Sequence, residues 1–373
     1  MNIDRRYRGR KRRSPWPIIA LLLIAAVGMY LVAGRSKLLR NPFSPVLPTP
    51  TATRSAVSYL AEAEDAYSAG KLADASAAYA HAVEMEPDNA EAIARQAWLM
   101  ILRGHPAQAI ILAERAVALN PSALNQGILA MALDWDGQYD EAIKVALRAV
   151  DKDPLSSEAH AFLAEVYADK NNWARALEEA QNAVKLNPNS SIAQRNLGYV
   201  LERQGRYVAA IEAYDQAAKL EPKLGYIRIG AGNSYLAQGD YENALVEYQK
   251  AVETNPDSPT GYDALGHGSS LAGDPDRAIS MLRKAIEIDP EYGPAYAHLG
   301  RVYFTQLNWE SAIENFTKAF QLGVRNEEYF YELGLAYAYL KDCTNSVQWL
   351  QKALDLNPDS QPAQEGLRLC AKG

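Results

Sequence analysis

Apolar and small residues recur along this chain at intervals of three and four. The clearest instance is the stretch from Arg206 to Pro222, where Tyr207, Ala210, Tyr214 and Ala217 fall on one face of a helix. Gly205 in front of it marks a tight turn. Pro222 ends it, because proline has no amide hydrogen and clashes with the preceding turn. The same phrase returns as GDYENALVEYQKAVETNP, ending at Pro256, and as GQYDEAIKVALRAVDKDP, ending at Pro154.

The stop prolines are Pro87, Pro121, Pro154, Pro188, Pro222, Pro256, Pro290 and Pro358, spaced by 34 residues except for one step of 33 and one of 68. The long step is two periods, with Val324 where a proline would stand. Nine units follow: 56–89, 90–122, 123–156, 157–190, 191–224, 225–258, 259–292, 293–326 and 327–360. The eighth residue of every unit is small, Ala63 in the first and Gly198 in the fifth. The twentieth is alanine in eight units and Ser346 in the last, and the twenty-seventh is alanine in all nine. Helix axes lie about 8–10 Å apart, and small side chains permit the close end of that range. Each unit therefore reads as two helices, A and B, clamped at the eighth and twentieth residues. The twenty-seventh fits B against the next unit.

These residues resemble the tetratricopeptide repeat (TPR) family. Its pattern appears in Tyr262, Leu265, Gly266, Ala278, Leu282 and Pro290, and again in Tyr296, Leu299, Gly300, Tyr303, Ala312 and Phe316. The resemblance covers 56–360 and implies an all-α, right-handed solenoid whose A helices line a concave surface for protein or peptide ligands. Asn171, Leu307 and Lys341 replace the turn glycine, which leaves turn geometry open at those units. Residues 361–373 read as a capping helix, with Leu367, Leu369 and Cys370 covering the last B helix.

The N-terminal region has a different pattern. Residues 1–13 carry Arg5, Arg6, Arg8, Arg10, Lys11, Arg12 and Arg13, and residues 14–34 carry no charge. About 20 apolar residues span about 30 Å, the hydrocarbon thickness of a bilayer. Pro15 and Pro17 suit a helix start, and Trp16 and Tyr30 lie near the two ends as an aromatic belt would. A retained single transmembrane helix is expected rather than a cleaved signal, since the Val32-Ala33-Gly34 end is a weak cleavage site. The basic excess on its N-terminal side puts residues 1–13 in the cytoplasm and the repeats outside it. Residues 35–55 are a Pro/Thr-rich linker, and 41–55 forms a semi-rigid tether of about 45 Å.

Composition narrows the function. A chain of 373 residues exceeds what one compact core usually supports, a limit that a solenoid avoids. Residues beyond 40 carry 28 basic and 44 acidic side chains, so nucleic acid is not the expected partner. The two cysteines, Cys343 and Cys370, have no metal-type spacing and read as small apolar fillers; a disulfide between them, left open by the sequence, needs an oxidising compartment.

The second, fifth, sixth, ninth, twelfth and thirteenth residues of each unit should point inward. Early units offer apolar and aromatic groups there, among them Tyr67, Trp98 and Trp135. Later units offer Arg195, Asn196, Tyr199, Arg203, Asn233, His267, His298 and Arg301, a polar and partly basic set suited to gripping a carboxylate. These eleven residues are the candidate partner-binding site. His267 and His298 recur one unit apart, but no third metal ligand accompanies them. The Asp134-Trp135-Asp136-Gly137 stretch is a repeat turn rather than a calcium loop. The glycine pairs inside helix A follow no strand and are not phosphate loops. Catalytic residues, cofactor and metal are accordingly all expected to be none. The expectation is a non-enzymatic, membrane-anchored TPR scaffold in the assembly of a cell-envelope complex. The alternative is a substrate-selecting partner of an envelope enzyme such as a glycosyltransferase or protease.

Overall fold

The computed structural model describes residues 16–35 and 54–371; side chains in the first stretch are described at 16 and 19–31. The basic tail 1–13, most of the linker, and Lys372 and Gly373 lie outside the described residues. The chain divides into two units at Thr53–Arg54.

In the first unit, α1 spans Trp16–Arg35, and Leu21, Leu22, Leu23 and Ile24 along it are exposed. The side chains described over 19–31 account for about 20 Å of helix. Among the described residues no helix is long and apolar enough to cross a membrane.

The second unit is a run of helix pairs. In order they are α2 Ala56–Ser68 and α3 Leu72–Met85, α4 Ala90–Leu102 and α5 Pro106–Leu119, α6 Ala123–Trp135 and α7 Tyr139–Lys152, α8 Ser157–Asp169 and α9 Trp173–Leu186, α10 Ser191–Arg203 and α11 Tyr207–Leu220. Then follow α12 Gly225–Ala237 and α13 Tyr241–Thr254, α14 Pro259–Leu271 and α15 Pro275–Ile288, α16 Gly293–Thr305 and α17 Trp309–Gln321, α18 Glu327–Tyr339 and α19 Cys343–Leu356, with α20 Gln361–Ala371 at the end.

Local chemistry sets the helix ends. Ser55, Asn89, Ser122, Ser156, Ser190, Ser258 and Asn326 each cap an A helix by accepting a backbone N–H three residues on. The turn between A and B always passes through a left-handed residue at the fifteenth position. Asn171, Leu307 and Lys341 adopt it at φ 57°, 61° and 62°, beside glycines elsewhere. The unit geometry is therefore kept at the three substituted turns, at a cost of about 1–2 kcal/mol each for a residue with a Cβ. At Val324 the missing proline is replaced by another device. Gly323 turns left-handed at φ 92°, and the Val324 amide closes back on the Ala319 carbonyl at 3.1 Å, ending α17 as a Schellman turn does.

Packing within each pair rests on matched sizes. In units five to nine the eighth residue is glycine, and it faces Tyr214, Tyr248, Leu282, Phe316 or Leu350 at the twenty-fourth position. A Cβ on Gly232 would lie 2.4 Å from the Tyr248 ring. In units two to four alanine faces alanine instead, as in Ala97 and Ala113, both fully buried. The twenty-seventh alanines are at most 1% exposed throughout.

The C-terminal cap is held covalently, since Cys343 at the start of α19 is disulfide-bonded to Cys370 of α20. Ala363 and Gly366 are the buried face of α20, and Leu367 packs beside them. Leu369 is 50% exposed and does not cover α19, contrary to the reading of the cap from sequence. It sits one helical step off the stripe formed by Ala363, Gly366, Leu367 and Cys370.

Two substitutions probe this account. Ala285→Leu overfills a site with no free volume and should lose about 1–3 kcal/mol in thermal or urea unfolding; an unchanged midpoint would contradict the clamp. Leu307→Gly relieves the left-handed turn and should gain about 0.5–1 kcal/mol. A loss of stability there would mean the turn is not strained.

Candidate functional site

The A helices place their second, fifth and ninth residues on the inner side of the solenoid. Between α10, α12, α14 and the facing ends of α4 and α6 they enclose a cavity of about 360 Å³. Trp135, Arg195, Tyr199, Asn233, His267 and His298, all candidates from the sequence, share its wall. Tyr226, Ile229, Thr260 and Asp263 complete it, and each occupies the second or fifth position of its unit. Tyr292 and Tyr214 also reach it, from positions that the inward rule does not cover.

The other candidates lie elsewhere. Trp98 is 6% exposed and meets the Phe162 ring edge-on at 5.7 Å, so it belongs to the core. Tyr67 is half-buried, and burial raises its phenol pKa. Asn196 is 1% exposed and donates to the Ala161 carbonyl at 2.8 Å, joining α10 to α8.

The basic patch expected on the inner face is neutralised from within the chain. Arg195 Nη1 lies 2.7 Å from Glu165 Oε1, and that oxygen also accepts from Trp135 Nε1 at 3.0 Å. The arginine's pKa is raised chiefly by Glu165, against an opposing effect of burial, so it stays charged. Arg203 faces Asp169 at 3.7 Å, and Tyr199 donates to the same carboxylate at 2.5 Å. Arg301 is gripped by Glu332 at 3.2 Å and by Glu328 at 2.5 Å. Arg195 and Arg301 are therefore not poised for a partner's carboxylate, contrary to the expectation from sequence, whereas Arg203 is 43% exposed and only loosely held. Each is paired with an acid from the preceding or the following unit.

The histidines are also committed. His298 Nδ1 lies 2.7 Å from Asp263, and the His267 ring stacks on His298 at 4.2 Å with planes 5° apart. Burial, then the neighbouring imidazole, pushes the His267 pKa down to about 3, so it is neutral at physiological pH. Asn233 accepts from Tyr248 at 2.7 Å, which leaves its amide hydrogens toward the cavity. The Glu202 carboxyl, receiving Tyr214 at 2.9 Å and Ser234 at 3.2 Å, is pushed up by burial. The cavity therefore presents aromatic faces, neutral donors and charged groups, Arg195 and Asp263, that are already paired within the chain. Among the described residues no group of three or more His, Cys, Asp or Glu side chains is arranged to hold a metal ion.

A repeating helix pair, clamped at fixed small residues and exposing a side-chain wall from its A helices, decides the family. The chain belongs to the tetratricopeptide repeat family. The profile described as Tetratricopeptide repeat matches residues 60–123, 129–190, 164–224 and 298–361, and two further TPR profiles match 232–267 and 271–321. A TPR repeat-containing thioredoxin, TTL4, of Arabidopsis thaliana is 31% identical over 131 residues. That match takes in 34% of this chain and 19% of the thioredoxin. Among solved structures, the Cut9–Hcn1 hetero-tetramer of the APC/C aligns over 79% of this chain and 59% of that one, at 16% identity and a TM-score of 0.60. Yeast Tom70 aligns over 85% of this chain and 82% of its own, at 15% identity and a TM-score of 0.50. These likenesses establish a TPR superhelix.

Beside the cavity, Asp134 is 3% exposed, and its carboxyl meets no cation or N–H donor, only the neighbouring Asp169 carboxyl. Burial, then the nearby Glu165 and Asp169 carboxyls, pushes its pKa well up. A carboxyl raised in this way favours the fold only while protonated. Its contribution is complete below the unfolded value near 4 and is lost as pH climbs toward the folded value. Asp134→Asn should therefore raise stability at pH 7 by about 1–3 kcal/mol and flatten its decline from pH 5 to 8. A variant with the wild-type pH profile would show that Asp134 is ionised in the fold.

Proposed function

We propose that this TPR protein is a non-catalytic scaffold that receives protein partners on its inner face. In this reading residues 14–34 anchor it in a membrane, residues 1–13 lie in the cytoplasm and the repeats lie outside, where the scaffold takes part in assembling a cell-envelope complex. The observation that carries the partner reading is the inner cavity, whose wall is aromatic and polar with its charges paired inside the chain. TPR repeats typically bind proteins or peptides, and such a wall suits a neutral side chain or short loop better than an acidic tail. The location rests on the apolar run behind seven basic residues. The Cys343–Cys370 bridge supports it, since such a bond persists in oxidising compartments.

Photo-crosslinking of the full chain in membranes of its own cells tests both parts. A crosslinker at Ile229, on the cavity wall, should capture a protein that one at the exposed Val208 does not. Equal capture from both sites would remove the inner face as the docking surface, and capture from neither would remove the scaffold reading. The chain should stay with the membrane through alkaline extraction, and Cys343 and Cys370 should resist thiol labelling before reduction. Release into the supernatant, or free thiols, would overturn the location.

A further inference from the structure

Four contacts join parts of the solenoid five units apart. The Gly70 carbonyl, in the turn between α2 and α3, accepts from the Asn255 side-chain amide, which is 1% exposed. The Ala73 amide, free of an intrahelical partner because it opens α3, donates to Asp257 at 3.2 Å. His105 Nε2 lies 2.6 Å from Asp289 Oδ2, with the side chains 14% and 9% exposed. Gly104, at φ 86°, presses on Tyr292 so closely that a Cβ would lie 2.4 Å from the ring. The sequence separation is 184 or 185 residues in each of the three hydrogen-bonded contacts. The corresponding turn glycines Gly137, Gly239 and Gly273 have nothing within 4 Å of that position.

These contacts close the first two units onto the turns that follow units six and seven. They differ in kind from the contacts that build the solenoid. Neighbouring units share buried alanine columns, whereas this closure is made of turn residues, one histidine–carboxylate contact, a few hydrogen bonds and the Tyr292 ring against Gly104. Contacts of that sort open at a lower free energy than a packed core.

We propose that this closure is a reversible clasp, which opens while the helix pairs stay stacked and so controls entry to the inner cavity. Leu102, two residues before Gly104, lines the cavity, as does Tyr292 on the opposite side of the clasp. Parting that contact therefore widens the cavity itself. The purpose assigned to the clasp rests on the inner-face reading above, but the clasp is tested without any partner.

The native cysteines are bridged to each other, so Ala264→Cys places the only reactive thiol on the cavity wall. The probe is a maleimide carrying a bulky polymer. With His105→Ala and Asp257→Ala added, its reaction rate should rise about tenfold or more, and hydrogen exchange at the Ala73 amide should accelerate by a similar factor. Far-UV circular dichroism and the thermal midpoint should be kept. Unchanged labelling in the folded variant, or loss of the whole cooperative transition, would overturn the clasp. Should the double variant fail to fold, Asp257→Ala and Asp289→Asn taken singly must each speed labelling, and wild-type rates in both would overturn it equally. Crosslinking from Ile229 reads the partner independently, so either idea can fail alone.

Discussion

The close approach of paired helices at the eighth and twenty-fourth residues governs the rest of this molecule. Where the twenty-fourth residue is Tyr214, Tyr248, Leu282, Phe316 or Leu350, its counterpart on the A helix has no side chain at all. Where it is Ala113, Ala146 or Ala180, the counterpart is another alanine. From the second unit on, a bulky twenty-fourth residue is always met by glycine, as close packing requires; the first unit alone sets alanine, Ala63, in line with a bulky Tyr79. Because every pair meets in the same way, each unit hands the same orientation to the next. A cavity on the inner side is then a result of curvature and not of any dedicated domain.

The inner wall shows how an acidic chain keeps Arg195 and Arg301 inside it, with Arg203 half in solvent. Arg195, Arg203 and Arg301 sit beside Glu165, Asp169 and Glu332, and no arginine and its acid belong to the same unit. A buried ion pair adds little net stability after desolvation, yet breaking one partner away is costly. These pairs therefore act as registers between consecutive units. Asp134, with no cation of its own, is the exception and titrates accordingly.

Much of this was readable from the residues because it depends on local backbone demands. Turn glycines, stop prolines and small columns announce a helix pair wherever they recur. The inward positions follow from helix geometry, and Tyr226, Ile229 and Asp263 obey the same count as Arg195 and His267. Their pairing was less legible. Arg195 at a fifth position meets Glu165 at the ninth position of the preceding unit, a match visible only once adjacent A helices are laid side by side. Leu369 was misplaced because an apolar residue near the end of a short helix has no neighbouring unit to fix its face. The clasp was beyond reach. It depends on a small rotation summed over five units, and no periodicity in sequence records that sum.

The internal pairing of the inner charges has a consequence for how anything meets this surface. Long-range attraction needs uncompensated charge, and here each inner guanidinium has its counter-ion within reach. A visitor to the cavity thus gains little electrostatic steering from the inner arginines, and what steering there is comes from the acidic excess of the repeats as a whole. For an uncharged visitor, arrival is limited by orientation and diffusion, and the encounter rate should vary little with ionic strength.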